Sequence, residues 1–195
     1  KLGLIMKKSF LLLIITLISL SSILAQSTQK ELDFSGFNGV LANGIFSIEL
    51  SKGDAERVTV EADSQIIPYI RVSLKNSILY LELDSATPKD LIKESREIKT
   101  YVEIKELVSI NLSEASKLYV KSHFTLSALH VNMSGATLLS GLELDADRVE
   151  LSLSGASAIS IGGSVKEANY NFLGASNVVI SHQSESVTIN AGMRI

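Results

Sequence analysis

From Phe46 onward, apolar and polar residues alternate. Phe46, Ile48 and Leu50 are separated by Ser47 and Glu49, Val58 and Val60 by Thr59, and Leu79, Leu81 and Leu83 by Tyr80 and Glu82. Successive side chains of a strand point to opposite faces, so each run predicts a strand with one face in a core. Val72 and Leu74 run into the turn signal Lys75-Asn76-Ser77, and Asn43-Gly44 and Lys52-Gly53-Asp54 mark further turns. Thr28 to Phe37 lacks the alternation and reads as a polar lead-in. Pro88 to Thr100 carries Lys89, Asp90, Lys93, Glu94, Arg96 and Glu97, with only Leu91, Ile92 and Ile98 apolar. It is expected to leave the sheet for one or two helical turns.

After residue 107 the alternation becomes a repeat. Ile110-Asn111-Leu112-Ser113-Glu114-Ala115-Ser116, Val131-Asn132-Met133-Ser134-Gly135-Ala136-Thr137, Leu151-Ser152-Leu153-Ser154-Gly155-Ala156-Ser157 and Tyr170-Asn171-Phe172-Leu173-Gly174-Ala175-Ser176 align without gaps. Their alanines, Ala115, Ala136, Ala156 and Ala175, recur about every 20 residues. Val187-Thr188-Ile189-Asn190 resembles a fifth, partial copy. A period this short marks a unit that buries its apolar face only by stacking on its neighbours. Apolar pairs two apart flank a small corner: 110/112, 131/133, 151/153 and 170/172 before it, 118/120, 139/141, 159/161 and 178/180 after it. Gly141 is the weak member. Leu129, Val149 and Ala168 suggest a third side. Small corner residues allow a tight turn, and glycine reaches positive φ without a steric cost. The expected fold is therefore all-β, a single-stranded β-helix or solenoid with coils of about 20 residues. Antiparallel strands from residues 26–106 are expected to cap one end. Glu114, where the other copies have Gly, suggests a modified first corner.

Composition narrows the class. The chain has 195 residues, a net charge of −3 and no Cys. Its mean hydropathy of +0.27 is high for a soluble protein. Part of that value comes from residues 1–25. Met6-Lys7-Lys8 is a basic start, Phe10 to Leu20 is almost all Leu and Ile, and Ser21-Ser22-Ile23-Leu24-Ala25 ends on a small residue. This is the pattern of a secretory signal peptide, with Met6 as the start and cleavage after Ala25. The run Phe10–Ala25 falls short of the roughly 20 residues that span a bilayer. The expected organisation is a leader at 1–25, a polar lead-in at 26–33 and one domain at 34–195, soluble outside the cytoplasm: periplasm, outer-membrane surface or extracellular space. Without the leader's three lysines the chain has 15 basic and 21 acidic residues, a net charge of −6. An acidic chain without basic runs argues against nucleic acid and anionic membrane as partners. Lack of Cys excludes disulfides, thiolate zinc sites and a Cys nucleophile. Residues 26–106 hold 24 charged side chains in 81 positions and residues 107–190 hold 11 in 84, so the repeat trades charge for Ser, Asn, Ala and Gly.

No catalytic, cofactor or metal site stands out. His123, His130 and His182 match no ligand spacing and read as surface residues. Glu143, Asp145 and Asp147 lie two apart and share one strand face. They form an acidic edge without the Gly-rich spacing of calcium loops. Gly162-Gly163-Ser164 is a turn with no following helix to cradle phosphate. No Gly-x-Ser-x-Gly elbow occurs. The candidate binding residues are instead Asn111, Asn132, Ser152 and Asn171. They alternate with the apolar columns, so they face out and stack into a polar ladder. Such a ladder either stabilises stacking or binds glycan or protein.

Several segments together resemble a known family. Phe37-Asn38-Gly39-Val40 with Asn43-Gly44-Ile45-Phe46-Ser47-Ile48, then Leu79-Tyr80-Leu81-Glu82-Leu83, then Val102-Glu103-Ile104 through Leu107 to Ser113 lead into the Ser-Gly-Ala-Ser repeats. In this order they resemble the putative auto-transporter adhesin head GIN domains (DUF2807) of exported Bacteroidetes-type proteins, over about residues 34–192. The resemblance implies a right-handed β-helix-like fold and an extracytoplasmic binding role, and it carries over no catalytic residue. An autotransporter also needs a membrane barrel of at least about 8 strands. The repeat fills residues 107–195, so this chain is not expected to be an autotransporter itself.

Three functions stay open: a non-enzymatic envelope binding or adhesin-like module, a carbohydrate-active β-helix lyase or hydrolase, and a purely structural envelope scaffold. The last segment, Val187 to Ile195, looks barely capped. It is expected to be covered by a partner, a second copy or the chain's own last residues, which makes the solenoid ends sites for self-association.

Overall fold

Strand alternation is realised along nearly the whole chain. The computed structural model describes residues 27–94 and 97–192, so the leader read in 1–25, with its start and cleavage site, lies outside the described residues. The strands are β1 (Ser27–Leu32), β2 (Gly39–Gly44), β3 (Phe46–Lys52), β4 (Arg57–Asp63), β5 (Ile70–Lys75), β6 (Ile78–Leu83), β7 (Ile98–Ile104), β8 (Ser109–Glu114), β9 (Lys117–Val120), β10 (His123–Met133), β11 (Leu138–Gly155), β12 (Ala158–Gly174) and β13 (Asn177–Gly192). Together they make one all-β, curled, open sheet. A short helix, Lys89–Glu94, occupies the charged excursion. That excursion is shorter than expected, because Ile98–Thr100 already belongs to β7, where Ile98 is buried. The polar lead-in also differs from expectation. Ser27–Leu32 is a strand paired antiparallel with β4. Five of its six side chains are exposed, so backbone hydrogen bonds hold it and no apolar alternation announces it.

In the repeat, the chain returns beside itself in parallel. Val131 pairs with Ile110 of the preceding copy and with Leu151 of the following one. Tyr170 pairs in the same way with Leu151 and Ile189. The apolar member of each row is thus carried onto the apolar member of the next, and Ile110, Leu112, Val131, Met133, Leu151 and Leu153 are all buried. After the corner, Leu118, Leu139 and Ile159 form a second buried column. The expected inward pair 139/141 is corrected to 139/142. Gly141 takes φ 75°, the register slips between Leu139 and Leu142, and Leu142 pairs with Ile161 and is fully buried. A Cβ on Gly141 would stand 2.7 Å from the Val120 carbonyl oxygen, so this bulge needs glycine.

Residues 26–106 do more than cap an end. Antiparallel pairs are present, β1 with β4, β4 with β7 and β5 with β6. But β2 lies parallel between β6 and β8, and β3 parallel between β7 and β9. The segment 39–52 is therefore intercalated between rows that follow it in sequence. Its inward residues Val40, Ala42, Phe46, Ile48 and Leu50 are fully buried and extend the repeat's core.

Candidate functional site: a groove over the polar columns

The small corners shape the outer surface. Gly135, Gly155 and Gly174 take φ of 83°, 79° and 97°. A Cβ on Gly155 would stand 2.8 Å from the Gly135 carbonyl oxygen, and one on Gly174 would stand 2.8 Å from that of Gly155. Stacked corners thus approach too closely for side chains. Glu114 adopts the same left-handed turn at φ 60°, which corrects the expectation of a modified first corner. Inside the corner lies a ladder that the sequence pattern did not reveal. Ser116, Thr137 and Ser157 are buried, Thr137 Oγ1 donates to Ser157 Oγ at 3.0 Å, and Ser157 Oγ also lies 3.0 Å from the Ser154 carbonyl oxygen. Hydroxyls small enough to turn inward here satisfy carbonyls that the corner frees. The recurring Ser/Thr two places after each corner Gly or Glu114 was the available signal.

Outside the corner, two columns of side chains run across the strands. Register places Leu41, Asn111, Asn132, Ser152 and Asn171 in one, and Asn43, Ser113, Ser154 and Leu173 in the other, which Ser134, one residue past the paired Met133, joins. Together with Glu82 they line a groove of about 540 Å³. At a strand spacing of about 4.8 Å, its rows from β6 to β12 span roughly 24 Å. All four candidates, Asn111, Asn132, Ser152 and Asn171, line this one groove. Asn132 Nδ2 donates to Asn111 Oδ1 at 3.1 Å, and Ser113 Oγ lies 3.1 Å from Asn43 Oδ1. Asn132, Ser152 and Asn171 are exposed. Amide and hydroxyl groups donate and accept, so each can serve a ligand as well as its neighbour. Glu82 is the one charged residue in the lining, at the end where β6 lies.

The acidic edge behaves differently. Glu143, Asp145 and Asp147 are exposed between buried Leu142, Leu144 and Ala146, so they share a face. Asp145 lies 2.9 Å from His123 Nε2, and Asp147 lies 2.6 Å from Lys166 Nζ, whose pKa is raised first by that hydrogen bond. Among the described residues no cluster of three His or acidic groups is disposed to hold a metal ion. His130 is likewise on the surface, 2.9 Å from Glu150. His182 is half-buried rather than a free surface residue. It continues the inward column of Leu144 and Gly163, and its Nε2 hydrogen-bonds the buried Tyr170 hydroxyl. Gly163 takes φ 106°, where a Cβ would stand 2.0 Å from the Leu144 carbonyl oxygen, and burial pushes the Tyr170 phenol up to about 12.

Residues 36–192 match the family model described as "Putative auto-transporter adhesin, head GIN domain". The chain belongs to this family. Solved structures of similar fold include a "putative adhesin" from Bacteroides fragilis, with TM-score 0.79 and 15% identity over 86% of this chain and 77% of that one. Another "putative adhesin", from Parabacteroides distasonis, has TM-score 0.68 and 18% identity over 87% and 79%. A third, from the same species and called a "putative lipid binding protein", has TM-score 0.63 and 16% identity over 86% and 79%. At these identities the likeness is one of fold. A search of curated proteins finds no match. No helix among the described residues is long and apolar enough to cross a membrane.

Proposed function

We propose that this GIN-domain protein is a non-enzymatic, exported envelope module that binds an extended neutral glycan in the groove over its polar columns. The supporting observation is the groove's chemistry. Five rows present amide or hydroxyl groups, three on both columns and two on one, over a span far longer than wide, with a single carboxylate at one end. Sugar hydroxyls exchange hydrogen bonds with such groups in either direction. The two-sided arrangement of carboxylates that glycoside hydrolysis requires is missing from the lining residues, where Glu82 stands alone. The parallel return of each row onto the one before it favours a solenoid, and the right-handed preference of parallel crossover connections favours a right-handed one. The apolar leader favours export to the periplasm or cell surface.

The test is an array of neutral oligosaccharides read with the wild type and with Asn132→Ala/Asn171→Ala. Both side chains are exposed, so the fold is retained. Loss of two hydrogen-bonding amides weakens binding about tenfold, roughly 1.4 kcal/mol in total. No bound neutral glycan, or binding that the double variant leaves intact, would refute the reading. Pull-down of an envelope protein that the same variant releases would move the groove to a protein partner. Release of sugar products that stops in Asp145→Ala would establish an enzyme instead.

A further inference from the structure

Among the described residues, the core is closed at one end and open at the other. One inward column runs across the sheet through Leu79, Val40, Ile110, Val131, Leu151, Tyr170 and Ile189. Its first six members are at most 1% exposed, whereas Ile189 is 55% exposed. The next column ends the same way, with Leu129, Val149 and Ala168 buried and Val187 exposed. Both exposed residues sit on β13, which among the described residues pairs only with β12. Two outward positions also turn apolar here. Leu173 follows Ser154 in its column, Val179 follows Ser160, and both are exposed.

The opposite edges are guarded and this one is not. The outer strands β1 and β5 carry Lys30, Glu31, Arg71 and Lys75. Charge on an edge strand discourages pairing with another chain. The sixteen residues of β13 contain Glu185 as their one carboxylate and no Lys or Arg. Their last stretch, Val187-Thr188-Ile189-Asn190-Ala191, alternates apolar and polar in the same way read in either direction. Paired antiparallel with its own copy about Ile189, this stretch sets inward Val187, Ile189 and Ala191 against Ala191, Ile189 and Val187 of the second copy. Thr188 then faces Asn190 across the same pair on the outside, where hydroxyl and amide hydrogen-bond. No like charges meet along this stretch.

We propose that β13 is the interface of a two-fold dimer, in which Val187–Ala191 pairs antiparallel with a second copy of this chain and closes the open core. Two copies joined through their unguarded ends leave only guarded edges outward, so assembly stops at two. This inference does not rest on the groove, although the groove's last row, Asn171 and Leu173, lies beside Asn190 and Gly192 of β13.

Sedimentation velocity over a concentration series tests it. The wild type is expected to pass from monomer to dimer, and Ile189→Lys to stay monomeric at every concentration, with an unchanged circular dichroism spectrum. Because the chain has no Cys, single-cysteine variants give a second readout that does not depend on a tight dimer. Ile189→Cys is expected to form a disulfide-linked dimer under mild oxidation far faster than Lys105→Cys. A strictly monomeric wild type with equal cross-linking of the two variants would overturn the proposal. So would a dimer that Ile189→Lys leaves intact, or open-ended filaments.

Discussion

From Ser109 to Gly192 each row of strand lies beside its counterpart in the adjacent copy of the repeat, while β2 is wedged between β6 and β8, which come much later in the chain. The regular part stacks like on like. Its corners share one left-handed turn, its inward columns are mostly apolar, and its outward columns are mostly small and polar. That uniformity produces the groove, because similar side chains recur on each row. Among the described residues, the repeat's last row, β13, leaves Val187 and Ile189 exposed. The intercalated part cannot repeat and is closed by different means: antiparallel strands, a charged surface and the ion pair of Arg71 with Asp84 at 2.7 Å. A repeat builds a surface, and the irregular segment ends it.

The comparison breaks most sharply in the core. Leu151→Ala, in a buried column, is expected to cost about 3 kcal/mol, whereas Ile189→Ala in the same column costs under about 0.5 kcal/mol in the monomer. Chemical denaturation of the two variants checks this. Equal losses would mean that the last row is covered after all. Corners come next. Gly155→Ala forces a methyl group to 2.8 Å from the Gly135 carbonyl at positive φ and is expected to cost about 2 kcal/mol. Gly36→Ala, also at positive φ but with nothing within 4 Å, costs about 1 kcal/mol. The reverse change, Glu114→Gly, relieves a left-handed residue and is expected to add about 1 kcal/mol of stability. A neutral or negative result would show that the Glu114 side chain does more than tolerate its corner.

The smallest effect joins the two parts. Lys117 on β9 hydrogen-bonds Glu97, just before β7, across the intervening β3. That hydrogen bond holds the Glu97 carboxyl below its usual 4.5 and the Lys117 amine above its usual 10.5. A carboxylate with a depressed folded pKa stabilises the fold above its unfolded pKa, and the contribution is lost as pH falls through the folded value. For Lys117 the contribution is present below the unfolded pKa and disappears as pH rises through the folded value. Both groups are well exposed, so the pair contributes under about 1 kcal/mol. Melting temperature against pH should therefore show a slightly shallower acid limb in Glu97→Gln than in the wild type.

Much of the regular part is legible in the sequence because its contacts are periodic. Period-two alternation assigns the inward columns, and the ungapped alignment alone puts Asn111, Asn132, Ser152 and Asn171 on one face. The intercalation of 39–52 leaves no such trace, since pairing with strands as distant in sequence as β8 imposes no local pattern. Gly141 looks like a weak apolar member because a bulge shifts the period by one residue. His182 looks like a surface histidine because its row neighbour in the inward column is Gly163, which carries no apolar side chain to mark the column. Strand β1 is hidden because its pairing rests on backbone groups, which every sequence carries.

The most direct test of the groove is a nuclear magnetic resonance titration of the isotope-labelled protein with a neutral oligosaccharide. The account predicts that side-chain amide signals of Asn111, Asn132 and Asn171 and backbone signals of Ser152 and Ser154 shift together and saturate, while those of Glu143, Asp145 and Asp147 stay still. Saturating shifts centred on the acidic edge, or a groove that stays silent across the neutral glycans, would contradict it.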